Sequence, residues 1–316
     1  MTPLLQVRHL KKYFFYKGNP FKVVDDICFS IESNQILGLV GESGSGKSTL
    51  AKTILQLYKP TSGDVLLEGV DLSSLSTKAL KVYRKHFQMI FQDSTSSLNP
   101  RMTILEIIKE PLLIHKIYSN KKRVEQRVLE LLELVGMQSY HANAFPHELS
   151  GGQRQRVGIA RALSLNPKLL ICDEPIAALD ISIQAQIINL LKTLQQQLGL
   201  TYLFISHDLA MVKYLCTHVA VMYLGVFVEM AEVKDLYKRA AHPYTQALLS
   251  SIAIPDPLIE KTRSRIIMPG DIPQPSTELK GCVFCSRCPK AMDICKIKAP
   301  LPKEIAPNHT VRCHLY

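Results

Sequence analysis

Apolar residues in this chain fall into short runs of strand length, separated by stretches with helical spacing. Leu5–Val7 and Val23–Ile31 carry the short alternation of strands. Ile36–Val40 is an apolar run that enters a glycine-rich turn, and Ser48–Tyr58 continues from it as a helix. Val65–Leu67 reads as another short strand. From about Ser94 to Leu165 the spacing turns helical, with Ile104–Ile117, Lys122–Val135 and Gly151–Leu163 as predicted helices. Leu169–Cys172 is a short strand of the buried kind. Ile183–Leu198 is an amphipathic helix stopped by Gly199, and Tyr202–Ile205 and Val219–Tyr223 are further strands. Such alternation predicts an α/β protein with a mostly parallel sheet covered on both faces and a helical insertion at about 94–165. After about Met230 the texture changes. A helical patch at Tyr244–Ser251 precedes the Pro-rich stretch Ile254–Pro275 and a Cys-rich tail, so the chain divides into residues 1–230 and 231–316. It contains no internal repeat.

Composition narrows the class. The 316 residues are 47% hydrophobic and 21% charged, which is ordinary for a globular protein and excludes a disordered chain. The longest apolar run, Val219–Val228, falls well short of the ~18 residues that a membrane helix needs. Met1–Lys12 has no apolar stretch followed by a small-residue cleavage site, so the sequence reads as cytosolic. The net charge of +11 is compatible with a polyanionic partner or with a solvated basic surface. The basic residues are scattered, Lys121-Lys122-Arg123 being the densest run, and this does not single out nucleic acid.

The chemistry begins at Gly41-Glu42-Ser43-Gly44-Ser45-Gly46-Lys47-Ser48, with Thr49 following. This is the G-x-x-x-x-G-K-[ST] phosphate loop, placed between a predicted strand and a predicted helix as its mechanism requires. Glycines let backbone N–H groups wrap phosphates, the helix N-terminus adds partial positive charge, Lys47 reaches the outer phosphates and Ser48 offers a hydroxyl to Mg²⁺. Leu169-Leu170-Ile171-Cys172-Asp173-Glu174 ends an apolar strand in two carboxylates: Asp173 suits Mg²⁺, and Glu174 suits the water that attacks the terminal phosphate. In Leu149-Ser150-Gly151-Gly152-Gln153, Ser150 can cap a helix whose first turn is stripped of side chains. Glycines there cost helix stability, and close approach of a ligand to the backbone would explain them.

With these motifs in hand, the first 230 residues resemble the ATP-binding subunits of ABC transporters, whose signature is LSGGQ. The resemblance implies a P-loop NTPase fold of the ABC type with an inserted helical subdomain. It also implies a Q-loop at Phe91-Gln92-Asp93, with Gln92 contacting Mg²⁺, and a D-loop at Ala178-Leu179-Asp180. His207 matches the switch histidine, and Phe14 the aromatic that stacks on adenine, with Tyr13 adjacent. Two such subunits would close head to tail on ATP, each nucleotide lying between one chain's Lys47 loop and the other chain's Ser150, Gly151, Gly152 and Gln153. Phe91–Thr103 (FQDSTSSLNPRMT), Asp173–Gln186 (DEPIAALDISIQAQ) and His242–Leu249 (HPYTQALL) are similar to the oligopeptide, dipeptide and nickel importer subfamily. Ser94 and Ala177 depart from it, standing where that subfamily usually has Pro and Ser. The implied function is ATP hydrolysis that powers import of peptides or a related small solute. The implied partners are a second ATPase subunit, two transmembrane permeases and, indirectly, an extracytoplasmic solute-binding protein, with the chain peripheral at the cytoplasmic face of the membrane. A soluble ABC-type ATPase acting on nucleic acid with a zinc module is the alternative.

The cysteines divide into two groups. Cys28, Cys172 and Cys216 lie in apolar segments and read as small buried hydrophobes. Cys282, Cys285, Cys288, Cys295 and Cys313 cluster at the end of the chain, which in a reducing compartment points to metal. Their spacing admits an iron–sulfur cluster, zinc, or a tail that packs with free thiols and binds no metal. The subfamily resemblance implies a 4Fe–4S cluster on Cys282, Cys288, Cys295 and Cys313, with Cys285 as an extra thiol and His309 and His314 as lesser candidates. A Pro-rich tail short of apolar residues would gain a core from such a metal.

Overall fold

The computed structural model describes residues 2–16, 18–177, 179–252, 265–270 and 280–316. Ala178 of the expected D-loop and most of the Pro-rich stretch fall outside them. The strands are β1 (Leu5–Tyr16), β2 (Asn19–Ile31), β3 (Ile36–Val40), β4 (Ser62–Leu67), β5 (Val70–Asp71), β6 (Phe87–Ile90), β7 (Leu169–Asp173), β8 (Thr201–Ile205), β9 (His218–Tyr223), β10 (Val226–Glu232), β11 (Lys303–Ala306) and β12 (His309–Val311). The helices are α1 (Lys47–Ile54), α2 (Thr77–Tyr83), α3 (Ser94–Ser97), α4 (Ile104–Ile114), α5 (Lys121–Leu134), α6 (Gly151–Leu163), α7 (Ile181–Leu198), α8 (Leu209–Leu215), α9 (Val233–Arg239), α10 (Pro243–Ser250) and α11 (Asp293–Ile297). They belong to two compact units.

One unit comprises residues 2–4, 32–35 and 74–205. Its strands β6, β7 and β8 are parallel neighbours, with Phe87 opposite Leu169 and Leu169 opposite Thr201. Every residue of β7 and β8 is buried, as expected of parallel strands covered on both faces. Helix α7 buries Ile187, Ile188, Leu191 and Leu194, each worth about 1.5–3 kcal/mol on leaving water. Gly199 ends it in the left-handed region at φ 63°, as the sequence suggests. Helix α4 starts on a capping box, Thr103 with Glu106. It stops at Ile114, short of the expected Ile117, because Lys116 adopts φ 50° and Ile117 N–H turns back to Leu112 O.

The other unit comprises residues 5–31, 36–73 and 206–316. Part of it departs from a mostly parallel sheet: β2, β1, β4 and β5 form an antiparallel sheet of their own. Strands β1 and β2 are far longer than the short alternations at Leu5–Val7 and Val23–Ile31. Their pairing carries register shifts between Val7 and Tyr13, which break the period-2 pattern that marks a strand. Elsewhere in this unit β3 pairs in parallel with β9, and β10, β12 and β11 continue antiparallel. The apolar run Val219–Val228 proves to be two strands, because Leu224 (φ 42°) and Gly225 (φ 84°) turn the chain between them. Strand β12 carries the Cys-rich tail onto β10, pairing Val311 with Glu229.

Candidate nucleotide site

The phosphate loop connects β3 to α1. Gly46 at φ 105° places the chain where a Cβ would lie 2.3 Å from Val23 O, so only glycine fits. Gly46 also stands at the N-cap of α1, where no side chain caps the helix and the partial positive charge of a helix N-terminus favours an anion. Ser43 and Gly44 are exposed, Ser48 and Thr49 half-buried, and Ser45 buried. Lys47 is 5% exposed and donates to Gly41 O at 2.8 Å and Glu42 O at 2.9 Å. The loop is fixed from the β9–β10 turn by Gly225 N–H donating to Ser45 O at 2.9 Å.

Phe14 presents its ring at the surface, edge-on to Tyr58 (5.5 Å between centroids), with Lys12 Nζ 4.8 Å from its centroid. Tyr13 instead donates its phenol to Asp25, and burial together with that carboxylate holds the phenol in its neutral form. His207 is exposed between Ser206 and Asp208, the latter capping α8 through Ala210 N–H and Met211 N–H.

In the other unit, Asp173 closes β7 and is 3% exposed. Glu174 follows at φ 45°, a left-handed conformation that a glutamate adopts only under constraint, and its N–H is tied to Ile205 O at 3.0 Å. Gln92 Nε2 donates to Glu174 Oε2 at 3.0 Å. The expected Q-loop glutamine and the expected base are therefore in direct contact. Ser150 and Gln153 form a reciprocal capping box on α6, Gln153 N–H to Ser150 Oγ at 3.3 Å and Ser150 N–H to Gln153 Oε1 at 2.9 Å. The glycine at 152 has an in-chain reason: a Cβ there would sit 2.6 Å from Ile183 Cγ2 on α7. Packing between α6 and α7 already demands it, without close approach of a ligand. The D-loop is stapled by Gln184 Nε2, which donates to Ile176 O at 3.1 Å and Leu179 O at 3.0 Å.

The cysteines partly reverse the expectation. Cys172 and Cys216 are buried, but Cys28 is exposed, since the alternation of β2 buries Ile27 and Phe29 on either side of it and leaves it on the other face, beside His9 and Asp26. Asp26 Oδ1 is 2.8 Å from His9 Nδ1, and Arg312 stands 4.0 Å from its other oxygen. In the tail, burial pushes the Cys282 thiol up to about 11, and the neighbouring thiols of Cys295, Cys313 and Cys285 push the same way. Cys288 and Cys313 are raised too, chiefly by burial. Among the described residues no three of these five sulfurs lie within 4.8 Å of one another. His309 and His314 are engaged elsewhere, His309 with Glu229 (2.8 Å) and His314 with Lys298 O (2.8 Å).

The sequence profile of the ABC transporter family matches residues 24–177, and that of the oligopeptide/dipeptide transporter C-terminal region matches residues 228–295. The putative oligopeptide transport ATP-binding protein YkfD of Bacillus subtilis is 52% identical over 99% of this chain and 96% of its own length. The chain belongs to the ATP-binding subunits of oligopeptide-type ABC transporters. A second member from Bacillus subtilis, the oligopeptide transport ATP-binding protein AppF, is 51% identical over 99% of this chain and 97% of its own. Among solved structures, the dimeric bacterial ABC transporter cassette MJ0796 matches with a TM-score of 0.67 at 29% identity, over 72% of this chain and 98% of that one. The cbiO1 component of the cbiONQ ABC transporter from Clostridium perfringens matches with a TM-score of 0.68 at 27% identity, over 76% of this chain and 92% of that one. The fold is thus that of the ABC ATPase cassette, a P-loop NTPase. Residues of this ABC ATPase that the sequence did not bring forward are Arg287, Tyr244 and Glu229. Arg287 hides in the cysteine run, and nothing local in the sequence tells where its guanidinium goes.

Proposed function

We infer that this chain hydrolyses ATP to power peptide import, and that Glu174 is the group that polarises the attacking water. The observation that carries the reading is the constrained Glu174, left-handed behind a buried strand and held by Gln92. Aiming a carboxylate so costs backbone energy, and a site that must position one water gains from it. Gly41–Ser48 and Thr49 wrap the phosphates, Lys47 exchanges its loop carbonyls for the outer phosphates, and Phe14 stacks on the base. Ser48, Asp173 and Gln92 offer the hard oxygen ligands that suit Mg²⁺, which supplies neutralisation of phosphate charge. His207 senses the terminal phosphate.

Membership of an importer family makes membrane permeases the partners, and among the described residues no helix is long and apolar enough to cross a membrane. In finer detail, two permeases and a second ATPase subunit, identical or homologous, complete the complex at the cytoplasmic face, with a solute-binding protein acting from outside. The Ser150–Gln153 segment closes on the second subunit's nucleotide. Residues 1–230 form the nucleotide-binding domain, with a helical subdomain at about 94–165, and 231–316 the extension. Cys282, Cys288, Cys295 and Cys313 hold a 4Fe–4S cluster, a reading supported by the likeness to the oligopeptide importer subfamily, with zinc on the same thiols as the alternative. The test is what the tagged chain brings down from membranes. Permease subunits are expected, whereas DNA bound with a steep salt dependence would put the nucleic-acid alternative in its place.

A further inference from the structure

The cysteine turn reaches into the phosphate loop. Between Cys282 and Cys288 the chain makes a tight turn, with Cys285 N–H to Cys282 O at 3.0 Å and Arg287 N–H to Phe284 O at 3.1 Å. The turn drives two side chains inward. Phe284, 1% exposed, lies among the rings of Tyr223, Tyr244 and His242 at 5.2, 5.4 and 5.6 Å between centroids. Arg287, 7% exposed, donates to both carboxylate oxygens of Glu42, at 2.7 Å to Oε2 and 3.3 Å to Oε1. Tyr244, fully buried on α10, accepts the Glu42 backbone N–H at 2.9 Å. The side chain and the backbone N–H of Glu42 are therefore held by groups from beyond residue 230. Its carbonyl in turn takes one of the Lys47 hydrogen bonds.

A two-pronged guanidinium–carboxylate pair in a largely buried setting is strong and directional, and breaking one side leaves a charge without its partner. A loop that wraps phosphates with its backbone binds well only if that backbone is fixed before the nucleotide arrives. We propose that Arg287 and Tyr244 are positioning residues for nucleotide binding: the C-terminal cysteine turn holds the phosphate loop in its binding shape through Glu42. The inference rests on the reading of Gly41–Ser48 as the ATP site.

The test is MgADP and MgATP affinity of the full-length protein by calorimetry, with steady-state ATPase alongside, for wild type, Arg287→Gln, Glu42→Gln, the double variant and Lys47→Ala. Arg287→Gln is expected to weaken nucleotide affinity about tenfold and raise KM in step, with kcat at saturating ATP within about twofold of wild type. The double variant is expected to be no weaker than Arg287→Gln alone, because both substitutions remove one interaction. Arg287→Gln with wild-type affinity, or the two single losses adding in the double variant, would overturn the proposal. If Arg287→Gln does not fold, Tyr244→Phe removes the other tether. It is expected to raise KM severalfold with kcat retained, and unchanged KM would count against the proposal. Wild-type affinity in Lys47→Ala would instead overturn the phosphate-loop reading beneath it.

Discussion

Gly152 shows how one residue can carry two constraints. It stands in the segment expected to meet nucleotide on a second subunit, yet Ile183 across α7 leaves no room for a side chain. Gly152→Val is expected to lower stability by about 1–3 kcal/mol, as overpacking does, and Ile183→Ala in the same chain should return most of it. Thermal unfolding of the three variants checks this; a Gly152→Val protein as stable as wild type would return the glycine to a purely ligand-facing role. Single residues were unevenly legible in the sequence. Lys47, Asp173 and Glu174 could be named because their chemistry follows from a local motif beside a strand. Arg287 could not, because its partner Glu42 lies far away in sequence and only the tertiary fold joins them. Cys28 does not join the core because the alternation of β2, which buries Ile27, Phe29 and Ile31, puts it on the opposite face.

At the scale of elements, helices and strands with clean periodicity were readable: β3 and α6 have the expected bounds, and α5 and α7 differ by a residue or two. The elements missed were those whose pattern is interrupted or too short, such as β10 behind the Leu224–Gly225 turn and the tail hairpin of β11 and β12. Helix α10 holds a pH-sensitive joint. His242 is buried at its N-cap, where Nδ1 accepts Tyr244 N–H at 3.1 Å and Glu229 accepts the His242 backbone N–H at 2.9 Å. Burial lowers its pKa from 6.5 to about 4. As pH falls, the unfolded chain takes up this proton before the folded one. The stabilisation is therefore complete above about pH 6.5 and lost as pH falls toward 4, about 2 kcal/mol of it by pH 5. His242→Asn keeps an acceptor at the cap without the titration. It should flatten the fall in melting temperature between pH 7 and 5, and an unchanged slope would locate the acid sensitivity elsewhere.

For the whole molecule, the extension is fastened to the nucleotide loop rather than hung from it. Val311 pairs with Glu229, His309 meets the same buried carboxylate, and Arg287 closes on Glu42. Chain purified without air should carry iron and sulfide near four each, and Cys288→Ser should lower both; zinc alone would make the tail a mononuclear clip. The most direct test of the account is the behaviour of Glu174→Gln in the purified, full-length protein. The account predicts MgATP affinity like that of wild type, turnover reduced about 10²–10⁴-fold, and an ATP-dependent dimer that no longer dissociates on the wild-type timescale. Wild-type turnover in Glu174→Gln would contradict the assignment of that carboxylate and, with it, the reading of the site.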